Sequence, residues 1–142
     1  MFDHIVRSLG IDWSRVLELT PEQWEEIVAG YFHKIGYEVT LTPRSGDLGR
    51  DVIARKHGFG AIKLLGSIKR YAFGNLVSAA EVRELMGVVG IDPSASKGML
   101  ITTSDFAPRI LDDPGIAKAI PTRLQLINGV ELRELLSELD RE

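Results

Sequence analysis

The sequence predicts a single α/β domain, a mixed sheet flanked by helices, and three observations predict it. Its 142 residues are enough for one core and few for two. Hydrophobic residues make up 44% and charged residues 26%, the balance of a globular chain and not of a disordered one. The apolar period also switches repeatedly between helical and strand-like, in the order helix, three strands, helix, strand, helix, strand, helix.

The first helix opens at Thr20-Pro21-Glu22-Gln23, with Thr as N-cap, Pro at the first helical position and Gln three residues after the cap. Trp24, Ile27, Val28, Tyr31, Phe32 and Ile35 continue it at helical spacing, and Gly36 is its C-cap candidate. The period then drops to two. Tyr37, Val39 and Leu41 alternate with polar residues as a half-buried strand, and a loop runs from Pro43 to Gly49. Asp51 to Lys56 and Ala61 to Lys69 are two more strands, paired as a hairpin across His57-Gly58-Phe59-Gly60. A second helix is expected from Val77 to about Gly90, then a short buried strand from Met99 to Thr103. Ser104 and Asp105 suit a helix start, and Asp112-Asp113-Pro114-Gly115 is expected to break that helix, leaving a short piece from Ile116 to Ile120. Leu124 to Ile127 is the last strand, Asn128-Gly129 a turn, and Leu132, Leu135, Leu136 and Leu139 mark the closing amphipathic helix. Residues 1–18 read as an N-terminal helical extension, from Ile5, Val6, Leu9, Ile11, Trp13, Val16 and Leu17, attached to a domain spanning residues 19–142.

Composition narrows the function classes. With 17 Lys and Arg against 20 Asp and Glu, the net charge is −3, so the chain is no polycation and any nucleic-acid contact must be local. The absence of cysteine excludes a disulfide framework and a thiolate metal site, and fits the cytoplasm. No stretch has the length of a membrane span or the form of an export signal.

The hairpin carries the chemistry. Alternation puts Ser67 and Lys69 on one face of their strand, and the facing strand begins at Asp51, so the three side chains can meet. A carboxylate beside an ammonium group suits phosphodiester cleavage, where a cation neutralises charge on phosphate oxygens and a second group positions water. With no cysteine and only His4, His33 and His57 scattered along the chain, a hard ion such as Mg²⁺ or Mn²⁺ fits better than zinc. An Asp and a Lys on a strand pair also occur as an ordinary exposed salt-bridged edge.

Several ordered motifs add to this. Trp24-Glu25 lies in the first helix and Ile35-Gly36-Tyr37-Glu38-Val39 at its exit. Ser45 to Ile53, Lys69-Arg70-Tyr71, Val82-Arg83-Glu84-Leu85 and Gly98 to Ser104 follow in turn. Together, from about Leu19 to Leu136, the chain resembles the catalytic domain of Mrr-type restriction endonucleases, a branch of the PD-(D/E)xK nuclease superfamily. That resemblance implies a restriction-endonuclease-like αβββαβ core and a metal-dependent endodeoxyribonuclease of restriction or defence type. It implies Asp51 as metal ligand, the Ile68 carbonyl as a second, Lys69 as the group that orients the attacking water, and Glu25 as an accessory acid. The partner is then DNA, read by a separate domain or subunit or by a homodimer. Arg44, Arg50, Arg70 and Tyr71 are the candidate DNA contacts, with Arg83 and Arg109 as further cations near the site. Asp47, within Ser-Gly-Asp-x-Gly, reads better as a loop cap than as a ligand. The Thr102-Thr103-Ser104 hydroxyls suit either capping or an anion.

The chain departs from the pattern at one place. Two residues before the lysine the family carries Glu or Gln, or Asp in some relatives, and here stands Ser67. The neighbouring Gly66 suggests a bulge or the close approach of another backbone. A weakened but working site, a carboxylate relocated to Glu81 or Glu84, and a catalytically inactive DNA-binding or protein-interaction module are all open on sequence alone.

Overall fold

The computed structural model describes residues 13–43 and 51–140. The expected residues Ile5 to Ile11, Arg44, Asp47 and Arg50 lie outside that range. The described residues open with a 3-10 turn, Trp13–Glu18, whose Val16 is buried in the core. Helix α1, Pro21–Lys34, starts at the expected capping box: the Thr20 amide donates to Gln23 Oε1 at 2.8 Å and the Gln23 amide to Thr20 Oγ1 at 3.1 Å. Gly36 takes φ 100° just past its end, a conformation that glycine enters without a Cβ penalty.

Strands β1, Glu38–Leu41, β2, Val52–Lys56, and β3, Ile62–Lys69, form an antiparallel meander. Helix α2, Ala79–Ile91, crosses over to β4, Lys97–Thr102, and helix α3, Pro114–Ala119, to β5, Leu124–Ile127. Both crossovers make parallel pairs, β3 with β4 and β4 with β5, so the sheet is mixed, in the order β1-β2-β3-β4-β5. Helix α4, Gly129–Asp140, closes the described chain.

The sheet separates two apolar clusters, giving three layers. Trp24, Ile27, Val28 and Phe32 of α1 and Leu132 and Leu136 of α4 pack with Val52, Ala54, Leu64, Met99 and Ile101 on one face. Val82, Leu85 and Val89 of α2 and Ile116 of α3 pack with Leu65, Leu100 and Leu124 on the other. No helix among the described residues is long and apolar enough to cross a membrane.

Four expectations change. Val77 precedes the second helix instead of beginning it: Ser78 is the N-cap, and Val77 bridges Phe106. That bridge accounts for the missing helix after Ser104, because the Val77 amide donates to the Asp105 carbonyl and the Ala107 amide to the Val77 carbonyl. Asp113-Pro114 begins a helix where a break was expected. The Asp113 carboxylate accepts from the Gly115 and Ile116 amides, and proline is at home in a first turn. Gly66 marks no bulge, since it pairs in register with Val52 on one side and Met99 on the other.

Where α4 starts, the Asn128 side chain caps the Glu131 amide and the Gly129 amide donates to the Ser104 carbonyl. A Cβ on Gly129 would fall 2.4 Å from the Thr103 carbonyl oxygen. Gly129→Ala is therefore expected to cost on the order of 1–3 kcal/mol by forcing backbone apart. Urea unfolding should show a lower midpoint with an unchanged slope, and an unmoved midpoint would contradict this packing.

Candidate active site

Strand parity builds the site. Ser67 and Lys69 turn toward α2, while Ile68 between them packs into the opposite cluster with α1 and α4. At the end of β1, Thr42 pins the start of β2: the Asp51 amide donates to Thr42 Oγ1 at 2.8 Å, and the Thr42 amide to the Asp51 carbonyl at 3.0 Å. The result is a cleft of about 290 Å³ in which Asp51, Ser67 and Lys69 face Glu81 and Glu84 of α2 over a floor of Leu65 and Leu85. Sequence reasoning missed Thr42, whose only signal is its place where the strand alternation ends.

The end of β3 is held by β4. The Thr103 amide and the Thr102 hydroxyl both donate to the Lys69 carbonyl, at 3.2 and 2.9 Å. Thr103 Oγ1 donates to the Tyr71 carbonyl and accepts from the Tyr71 amide. The buried threonines thus spend their hydroxyls on backbone, the capping side of the two roles expected of them. Because Lys69 bonds to β4, alternation turns the Ile68 carbonyl toward β2, the side on which Asp51 sits.

The electrostatics center on Asp51. It stands at an exposed lip, yet partial burial of its carboxyl raises its pKa; the Lys69 ammonium opposes that shift and the charge of Glu25 adds to it. Glu25 is itself buried, on the core side of α1. A carboxyl raised in the folded state binds protons that the unfolded chain has released, so it weakens the fold above its folded pKa and not below the unfolded value of about 4. Without divalent ions, Asp51→Asn should accordingly raise the melting temperature at pH 7 and leave it unchanged near pH 3. An equal effect at both pH values would show that charge is not the cause.

Arg70 and Tyr71 go elsewhere than expected. Following Lys69, Arg70 turns to the opposite face, where its Nη1 donates to the Leu17 carbonyl at 3.0 Å. Its Nε is buried without a partner among the described residues, and the side chain does not line the cleft. The Tyr71 hydroxyl donates to Glu81 Oε2 at 2.5 Å. Burial, then that bond, pushes Tyr71 up to about 12, while the tyrosine, Ser78 and the Lys69 charge hold Glu81 below its usual value against its own desolvation. Arg83 is paired with Asp113 and Arg109 with Asp112, each at 2.7 Å.

Among the described residues no three His, Cys, Asp or Glu side chains converge as a ready-made metal site. The donors at the cleft are the Asp51 carboxylate, the Ser67 hydroxyl and a main-chain carbonyl turned to the same side, with the Glu81 and Glu84 carboxylates across from them. All are oxygen, a set that suits a hard ion keeping several of its own waters.

Comparison with known proteins agrees with this architecture. An uncharacterized protein, y4cE, of Sinorhizobium fredii is 28% identical over 111 residues, which are 72% of this chain and 28% of that protein. The structure of the DNA modification-dependent restriction endonuclease AspBHI superposes on 97% of the chain with a TM-score of 0.66 at 20% identity. That of the MspJI restriction endonuclease, in complex with a 27-mer oligonucleotide, covers 98% with a TM-score of 0.54 at 17% identity. This chain spans only 35% and 33% of those two proteins, so it corresponds to one part of each. The family Mrr_cat, described as restriction endonuclease, matches residues 16–136, and the chain belongs to that restriction endonuclease family.

Proposed function

We propose that the chain is the cleavage domain of a metal-dependent endodeoxyribonuclease of restriction or defence type. The observation that carries this reading is the convergence of Asp51, Ser67 and Lys69 in one cleft, with the Ile68 carbonyl turned toward Asp51. In it Asp51 and the Ile68 carbonyl would hold the ion, with the Ser67 hydroxyl beside them as a weaker donor. Mg²⁺ or Mn²⁺, when bound, supplies Lewis acidity toward the phosphate and a more acidic water. Lys69 makes no ion pair among the described residues and is available to orient the attacking water. Glu25 adds negative potential beside Asp51 and draws the cation in.

Arg44 and Arg50 are left to meet the DNA backbone, since Arg70 and Tyr71 are committed to Leu17 and Glu81. Sequence reading falls to another domain, another subunit or a second copy, as the small share of AspBHI and MspJI that this chain spans suggests. Ser67 favours a second reading, an inactive nuclease fold that binds DNA or protein without a divalent ion.

Plasmid cleavage with Mg²⁺ or Mn²⁺ separates the two. Ser67→Glu is expected to cleave faster than the unsubstituted chain at limiting metal, by about tenfold to a hundredfold where serine leaves the ion one charged ligand short, since such a ligand is worth roughly 1–3 kcal/mol, and by less where a carboxylate across the cleft replaces it. Silence from the natural chain and from Ser67→Glu alike, with DNA binding intact, would give the second reading the better claim.

A further inference from the structure

The nuclease reading leaves the cleft short of a ligand at Ser67, and two carboxylates on α2 face it. Glu81 and Glu84, three residues apart, share one side of the helix but differ in what holds them. Glu81 is fully engaged. Its Oε1 accepts from the Ser78 amide and hydroxyl, both at 3.1 Å, and its Oε2 from the Tyr71 hydroxyl. It is the N3 arm of the capping box that starts α2, so drawing it toward an ion would uncap the helix and strip the half-buried tyrosine of its acceptor. Glu84 is exposed, lines the same cleft and has no hydrogen bond or ion pair among the described residues.

From this contrast we infer that Glu84 supplies the second carboxylate of the ion site, in place of the acid that β3 lacks at Ser67, while Glu81 is a fixed structural group. The inference rests on the metal-dependent reading above. Two physical points support it. A residue offered from a facing helix needs no room on β3, so serine at position 67 is compatible with a two-carboxylate site. Among the described residues the cleft also has a charge imbalance: Asp51, Glu81 and Glu84 line it with Lys69 as the one cation, and Glu25 adds a fourth negative charge within reach of Asp51. Left unneutralised, such a cleft repels a polyanion; a divalent cation between its walls removes the repulsion. The carboxylates do not converge on a point, which suits an ion that keeps part of its water shell and reaches one wall through it.

Mn²⁺ titration of the full chain, followed by electron paramagnetic resonance of the free ion at pH 7.5, tests this without any cleavage. Asp51→Asn and Glu84→Gln are each expected to weaken Mn²⁺ binding at least tenfold. Glu81→Gln should change it less than threefold while lowering the melting temperature. In the Glu84→Gln background, Ser67→Glu should restore most of the lost affinity, since it returns the carboxylate from the other wall. Loss with Asp51→Asn but not with Glu84→Gln would overturn the assignment of Glu84 and leave the nuclease reading standing, as would Glu81→Gln matching Glu84→Gln in a protein that melts normally. Mn²⁺ binding that is absent, or indifferent to Asp51→Asn, would overturn both.

Discussion

Lys69→Ala is expected to lower the rate of DNA cleavage by about 10²–10⁴-fold while leaving the fold intact. The side chain lines the cleft beside Asp51 and makes no hydrogen bond among the described residues, so its removal orphans no buried partner among them. Its backbone is another matter: the Lys69 carbonyl receives both the Thr103 amide and the Thr102 hydroxyl, and alanine preserves those bonds. Position and ammonium charge are thus separable by this one substitution. Lys69→Arg should recover little, because a planar guanidinium cannot replace a compact point charge at a site built around one water. Melting temperature and DNA binding, measured alongside single-turnover cleavage, should move little. Undiminished cleavage by Lys69→Ala would remove the lysine from the mechanism, and a collapse of the melting temperature would show that it holds the end of β3 instead.

Legibility in the sequence followed the range of the interactions. The capping box at Thr20 and Gln23 and the period of two in β1, β2 and β3 act over a few residues, and both were readable. The meeting of Asp51, Ser67 and Lys69 was readable for the same reason, since a hairpin converts parity into proximity. Parity also bears on Arg70, which must leave the face that Lys69 occupies; reading it as a neighbour along the chain put it at the cleft, where the structure does not. Contacts made across the fold left no local mark. The Val77–Phe106 bridge occupies backbone that Ser104 and Asp105 seemed ready to wind into a helix, and the Thr102 and Thr103 hydroxyls are spent on a strand some thirty residues away. Glu81 and Glu84 look alike as helix-face acids. Ser78-x-x-Glu81 is the same local capping pattern as Thr20-x-x-Gln23 and separates them in principle, whereas the Tyr71 hydroxyl reaches Glu81 only through the β3–α2 connection.

Trp24→Ala is the substitution expected to cost most in stability, about 3–5 kcal/mol. The indole is fully buried, meets Trp13 edge-on at 5.9 Å between centroids, and donates from Nε1 to the Val16 carbonyl at 2.8 Å. Its removal opens a cavity, leaves that carbonyl unsatisfied and releases the Trp13–Glu18 turn from the core, three losses that act together. Domains of this size are stable by about 5–15 kcal/mol, so the variant would lose a large fraction of its stability. The effect reaches the site through the next residue. Glu25 is held in α1 by the same packing, and its charge is one of the influences that raise Asp51. Trp24→Phe keeps most of the volume but loses the hydrogen bond to Val16, and should cost roughly 1–2 kcal/mol with the site preserved. Thermal unfolding of the pair separates packing from hydrogen bonding. If Trp24→Phe were as damaging as Trp24→Ala, the bond to Val16 would dominate, and the N-terminal turn would owe its place to that single contact.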